Sequence, residues 1–311
     1  MTTKKRRRKK KGARLTGTQI TILALLALVA FLWRYTDMAG PDSQDSVPGG
    51  EAGTQASTDS KLRVVFLDVG QGASQLLIGP TGKTMLIDAG NNDQEETVLR
   101  DLRKYGVKRL DIVIGTHPDA DHVGGLDKVI DELEIGKVYM PKAQSNTKTF
   151  ESVLNSIKNK GLTVTTAKAG VTLDFEPGIS VRMLAPVGHY DDNNNMSAVI
   201  KVVYGKTSFL LTGDAEGESE RDMLASGANL RADVLLVGHH GSRSSTSAKF
   251  LQAVNPKFAV IQVGKDNKYG HPTQTVLQRL LKQGVQVFRN DQQGTVEIAS
   301  DGQKLYTITE R

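Results

Sequence analysis

Cysteine is absent from all 311 residues. That excludes disulfides and thiolate-held metals, and it suits a protein outside the cytoplasm that does not rely on oxidation. An excess of one charge is also missing from most of the chain. The formal net charge of +6 is local: residues 4–11 with Arg14 and Arg34 hold ten of the 40 basic side chains. From Lys61 onward, 30 basic residues face 29 acidic ones. Such a balance offers no global basic field for nucleic acid, although composition is blind to a local basic groove. Residues 37–60 almost lack bulky apolar side chains and read as a flexible tether, because they cannot bury enough surface to order themselves. Long internal repeats are not apparent either.

What is present begins at the amino terminus. A basic block over 4–11 precedes an apolar run over 20–33, and the 20 residues 16–35 would make a helix of about 30 Å, the thickness of a hydrocarbon core. Trp33 and Tyr35 stand where an interfacial aromatic belt would put them, and the basic flank predicts a cytoplasmic amino terminus. A cleaved signal peptide competes with this reading, but residues 34–40 provide a poor small-x-small site. A nuclear-localisation or nucleic-acid role for the basic block is undercut by the apolar run joined to it. The expected organisation is a basic cytoplasmic tail (1–15), a single transmembrane anchor (16–36), a linker (37–60) and one extracytoplasmic globular domain (61–311) at the cell membrane.

Within that domain, periodicity predicts strands over 62–69, 75–78 and 84–87, a helix over 94–105 and a strand over 111–114. A helix over 126–133, a strand over 137–140 and a helix over 148–160 follow. The second half repeats the plan: strands over 174–184, 197–203 and 207–211, then helices (216–226, 247–254, 273–283) alternating with strands (232–237, 258–263, 285–288), and final strands over 295–298 and 304–308. Two α/β halves of this kind suit two sheets face to face with helices outside.

The chemistry concentrates at 116–125, Thr-His-Pro-Asp-Ala-Asp-His-Val-Gly-Gly, directly after a predicted buried strand. On a strand-to-helix loop, His117, Asp119, Asp121 and His122 can converge as nitrogen and oxygen donors for divalent ions. A plain capping loop would explain one aspartate and neither histidine. Asp214 ends the predicted strand 207–211, an ordinary place for a Gly-Asp turn. His239 and His240 follow the strand 232–237, and His271 precedes a helix, whereas His189 reads as a surface residue. His117, Asp119, Asp121, His122, Asp214 and His240 make six donors, too many for one tetrahedral ion but suited to two divalent ions about 4 Å apart. A hydroxide bridging such a pair forms near neutral pH and can attack phosphorus. Asp121 and His271 are the candidate catalytic residues, His271 by hydrogen-bonding a phosphate oxygen or protonating the leaving group; the plain alternative for His271 is a turn ahead of Pro272. Ser242, Arg243 and Tyr269 are candidate substrate contacts, although the serines after His240 read equally as a solvated helix start with Ser245 or Thr246 as cap.

His-x-Asp-x-Asp-His-x-Gly-Gly resembles the His-x-His-x-Asp-His motif of the metallo-β-lactamase superfamily. Companion segments at 66–72 (FLDVGQG), 86–91 (LIDAGN), 194–197 (NNMS), 211–214 (LTGD), 238–242 (GHHGS) and 269–272 (YGHP) narrow the resemblance to the hydrolase domain of ComEC-type competence proteins and its stand-alone relatives. The resemblance spans about 63–289. It implies an αββα sandwich, a dinuclear site, and nuclease or phosphodiesterase action with DNA as substrate and DNA-uptake machinery as partner. His117, Asp119 and Asp214 would then hold one ion, and Asp121, His122, Asp214 and His240 the other; His240 is preferred to His239 because it stands before glycine. Asp68 and Asp88 are possible supporting residues. The superfamily's third imidazole for the first ion is missing, with Asn194 or Asn195 as possible stand-ins, and Ala73 replaces an acidic residue of the relatives. More oxygen and less nitrogen leaves Zn²⁺ or Mn²⁺ as the expected metal. Rival readings are a hydrolase of wall-polymer phosphodiesters or lactones, and a non-catalytic DNA-binding subunit of an uptake machine, which the intact ligand set disfavours.

Overall fold

A computed structural model describes residues 61–311. The expected tail, anchor and linker lie outside the described residues, and no described helix is long and apolar enough to cross a membrane.

Alternating burial drives the architecture. Along Leu62–Phe66, Val64 and Phe66 turn to one side and Val65 to the other, and all three are fully buried, so this strand has packing on both faces. It lies inside an eight-stranded sheet ordered β15 (Leu305–Thr309), β14 (Val296–Ser300), β1 (Leu62–Phe66), β2 (Gln75–Ile78), β3 (Thr84–Ile87), β4 (Arg109–Ile114), β5 (Glu134–Met140) and β6 (Val164–Thr166). The second sheet runs β13 (Gln286–Arg289), β12 (Phe258–Ile261), β11 (Val234–Leu236), β10 (Thr207–Leu211), β9 (Val199–Tyr204), β8 (Ile179–Ala185) and β7 (Thr172–Glu176).

Phe66, Met85, Ile112 and Ile114 from the first sheet meet Phe175, Ile200, Phe209 and Val260 from the second in the central core. Each such side chain contributes about 1.5–3 kcal/mol by leaving water. The outer faces are covered by amphipathic helices: α1 (Glu95–Lys104), α3 (Leu126–Glu132) and α4 (Lys148–Asn159) on the first sheet, and α5 (Gly217–Ala225), α6 (Ala248–Val254) and α7 (Gln274–Lys282) on the second. Two one-turn helices, α2 (Ala120–Val123) and α8 (Asn290–Gln293), complete the set. The result is the expected αββα sandwich.

Three local expectations needed correction. The strand read over 174–184 is a hairpin, because Pro177-Gly178 turns the chain with Gly178 at φ 79°. The three-residue β6 was not anticipated; it is too short and polar to show a period. Helix α6 is capped by Ser247, which accepts from Phe250 N–H, and not by Ser245 or Thr246. Ser245 Oγ instead donates to the Ala215 carbonyl, and Thr246 Oγ1 accepts from Gly238 N–H.

In each sheet the strands of one half, out to an edge, are parallel: β3 to β6 in the first, β10 to β13 in the second. Their carboxyl ends therefore emerge together, and the loops after β3, β4, β10, β11 and β12 open at one end of the sandwich, where α/β sheets place their sites.

Candidate metal centre

The loop after β4 is held from below. Asp88, after β3, is fully buried with φ 58°, a left-handed conformation that aspartate tolerates. Its carboxylate accepts from Thr116 N–H (2.8 Å) and Thr116 Oγ1 (2.7 Å), and it receives His122 Nδ1 at 2.7 Å. Donation from Nδ1 leaves the His122 Nε2 lone pair facing the cluster. Across the mouth, His240 Nδ1 donates to the Gln262 carbonyl at 2.8 Å, which turns its Nε2 the same way. The two Nε2 atoms stand 3.3 Å apart, and His122 Nε2 is 3.0 Å from Asp214 Oδ1. His240 Nε2 lies 3.3 Å from Asp121 Oδ2 and 3.5 Å from Asp214 Oδ2. Lone pairs and carboxylate oxygens at these distances repel unless a cation, proton or metal, sits among them.

Electrostatics agree. Burial opposes the His122 imidazolium, yet Asp214 and Asp88 outweigh it and hold its pKa well above the usual histidine value. His240 is likewise raised against burial by Asp214 and Asp121. Both aspartates respond in the opposite sense: against burial, Asp214 is held well below the carboxylate range mainly by His122 and His240, and Asp121 far below it by His240 and His122. His117 is lowered by burial and by the His122 charge.

The donor set fits divalent metal. His117, His122 and Asp214 offer donor atoms within 4.8 Å of one another, and so do Asp121, His122 and His240. Asp214 touches members of both groups. His117 Nε2 is a buried nitrogen with no hydrogen-bond partner, as suits a nitrogen that ligates metal. Asp119 is less committed: its Oδ2 is 3.8 Å from His117 Nε2, its Oδ1 accepts from Asn193, and its side chain is 43 % exposed. It heads α2 without capping it, so the plain capping role is not the one it plays.

The remaining expected residues divide. Tyr269 and His271 line the same small cavity, of about 160 Å³, as Asp121 and Asp214. His271 is half-buried, its Nδ1 has no partner, and burial with the nearby His239 lowers its pKa, keeping the ring neutral. His239 has its Nε2 3.7 Å from Asp214 and its Nδ1 2.7 Å from Glu216. Asn194 also reaches Glu216, at 3.3 Å, from the cavity wall. The structure does not bring Asn195 to the centre; its Oδ1 accepts from Glu216 N–H and Ser219 N–H at the start of α5. Nor does it bring Asp68, which pairs with Arg311 at 2.9 Å. Ser242 is buried against Ser244, and Arg243 is exposed; neither lines the cavity. His189 is exposed, as expected.

Sequence reading missed Thr116, Asn193, Ser197, Glu216 and Gln262. Ser197 Oγ accepts from Asp214 N–H and lies 3.3 Å from His117 Nδ1. Gln262 Oε1 receives Ser74 N–H and Gln75 Nε2, while its Nε2 donates to the carbonyls of Leu67 and Ser74, so one buried side chain ties β12 to the β1–β2 turn. The predicted strand over 258–263 runs through Gln262, so nothing in the sequence marks it out.

Comparison with known proteins decides the ancestry of this centre. Residues 68–265 match the model of the metallo-beta-lactamase superfamily. The chain belongs to that superfamily. Among similar members, ComE operon protein 3 of Bacillus subtilis is 33% identical over 256 residues, covering 76% of this chain and 33% of that protein. Recombination protein 2 of Haemophilus influenzae is 35% identical over 226 residues, covering 70% and 26%. The chain thus spans about a third or less of these relatives. The metallo-β-lactamase fold protein YhfI from Bacillus subtilis shares the fold, with TM-score 0.51 and 10% identity over 80% of this chain and 100% of that one. Membership of the superfamily agrees with divalent metal binding at the His/Asp cluster.

Proposed function

We propose that this chain is a metal-dependent phosphodiesterase that cleaves DNA on the outer side of a membrane, held there by residues 16–36. The observation that carries the reading is the buried Asp214 carboxylate lying between two overlapping donor groups, next to the orphaned Nε2 of His117. The kinship with competence proteins supports DNA as the substrate.

His117, Asp119 and Asp214 would hold one ion, and Asp121, His122, Asp214 and His240 the second. Bound there, the ions would supply Lewis acidity and activate water at neutral pH. The protein's own groups do the rest. Asp88 and the Gln262 carbonyl orient His122 and His240, fixing which nitrogen points inward. The neutral His271 offers its ring to a non-bridging phosphate oxygen or to the leaving oxygen. His239, whose Nδ1 is fixed by Glu216, presents Nε2 beside Asp214.

The test incubates the purified chain, with Mn²⁺ or Zn²⁺, with single-stranded DNA, duplex DNA, RNA, bis-p-nitrophenyl phosphate and a lactone. DNA cleavage that falls at least about 100-fold in Asp121→Ala is expected. Brisk lactone hydrolysis with no cleavage of nucleic acid overturns the reading. The anchor is tested separately: the chain should stay with carbonate-washed membranes and be released on deletion of residues 16–36.

A further inference from the structure

A row of residues crosses the outer face of the second sheet. By register it runs Thr172, Arg182, Lys201, Leu210, Leu235, Ala259 and Val287. From Leu210 to Val287 the row is apolar and packs beneath α5, α6 and α7. At β8 and β9 it turns basic. There two adjoining hollows of about 850 and 630 Å³ share Lys201, Val203 and Asn229.

Arg182, Lys201, Lys206, Arg231 and Lys257 line these hollows against a single carboxylate, Asp233. Asp233 is already engaged by Lys257 at 3.1 Å and by Ser208. Among the described residues Arg182, Lys206 and Arg231 form no ion pair. Lys201 forms the floor; its Nζ donates to the carbonyls of Asn229 (2.6 Å) and Arg231 (2.7 Å), neither of which neutralises it. Five cations to one anion, in a domain whose charges otherwise balance, is the local groove that composition cannot reveal.

We propose that this groove binds the backbone of a linear phosphodiester polymer, at a site separate from the metal centre. Unpaired guanidinium and ammonium groups along a concave surface match successive phosphates, and the lack of an exposed apolar rim disfavours a lipid surface. The groove meets β10 at Thr207 and Ser208, whereas Asp214 lies beyond its other end. At about 3.3 Å per residue the separation is on the order of 20 Å, so only a long substrate engages both. The link to catalysis rests on the phosphodiesterase reading; the binding itself does not.

The test uses the full chain in detergent, so that the basic tail over 4–11 contributes equally to every variant. Arg182→Gln, Lys206→Gln and Arg231→Gln are combined and compared with the wild type and with the charge-keeping Arg182→Lys/Lys206→Arg/Arg231→Lys. Binding of a long labelled single-stranded oligodeoxynucleotide and of poly(glycerol phosphate) is followed against salt, with chelator present. For the oligodeoxynucleotide the slope of log K against log salt should fall by about 2 in the glutamine variant, at about 0.7 per lost contact, and recover in the charge-keeping one. The polymer with the larger loss identifies the source. With metal restored, cleavage of long DNA relative to bis-p-nitrophenyl phosphate should fall roughly tenfold. An unchanged slope for both polymers, or a loss confined to anionic lipid vesicles, overturns the proposal. The expected fall and recovery of the slope without any DNA cleavage would instead sink the phosphodiesterase reading and leave the groove standing.

Discussion

At the scale of single residues, the centre is governed by groups that never meet a substrate. His122 can present Nε2 only because Asp88 accepts a hydrogen bond from its Nδ1–H, and Asp88 is itself held by Thr116. Asp88→Asn keeps the shape but replaces one carboxylate oxygen with an NH₂ group and removes the charge that stabilises the correct tautomer. Metal affinity, measured by calorimetric titration of the metal-free protein with Zn²⁺ or Mn²⁺, should fall about 10- to 100-fold. Unchanged affinity would show that Asp88 serves the fold alone. The motif residues were legible from the sequence because histidines and aspartates clustered immediately after strands. Gln262, Ser197 and Asn193 were not, since amide and hydroxyl side chains acquire a role only from what folds against them.

At the scale of elements, the loops after β4 and β1 interlock. Gly72 has φ 151°, and a Cβ added there would lie 2.5 Å from the Asp121 carbonyl oxygen, while the next residue, Ala73, donates its N–H to that same oxygen at 3.0 Å. Backbone cannot yield as a side-chain tip does. Gly72→Ala should therefore displace α2 and with it Asp121 and His122, lowering the melting temperature and cutting the proposed DNA cleavage more than tenfold, since an ångström of misplacement is costly. Wild-type turnover in that variant would refute the interlock. The Gly-Gln-Gly turn was visible in the sequence, but its contact with Asp121 bridges residues far apart in the chain. Helices and long strands were legible from their periods; β6 and the hairpin at 177–178 were not, because three residues show no period and the apolar alternation of Leu173, Phe175, Ile179, Val181 and Met183 continues in phase across Pro177-Gly178.

At the scale of the whole molecule, stability in alkali should report two tyrosines, one half-buried and one buried. Tyr105, at the end of α1, is pushed up to about 12 by burial and by Glu297. Tyr190, which donates to Asp222 at 2.8 Å, is pushed up to about 12 by burial and by that hydrogen bond. The unfolded chain loses these protons near pH 10 while the folded one keeps them, so the contribution to stability is full below 10 and lost as pH rises to about 12. The denaturant midpoint should decline across this window, and less steeply in Tyr190→Phe. An identical decline in the variant would remove Tyr190 from the explanation.

The sequence by itself determined the two α/β halves, the six candidate ligands and the family resemblance, because hydrophobic period and motif spacing are local properties of a chain. The tertiary structure alone decided which donors meet. It set Asp214 between two ligand groups, turned Asn195 and Asp68 to structural tasks, and enlisted Glu216 and Gln262. It also gathered five cations into one groove of a domain that is neutral on average. Charge and ligand geometry depend on residues distant in sequence, and only the stacking of two sheets makes them neighbours.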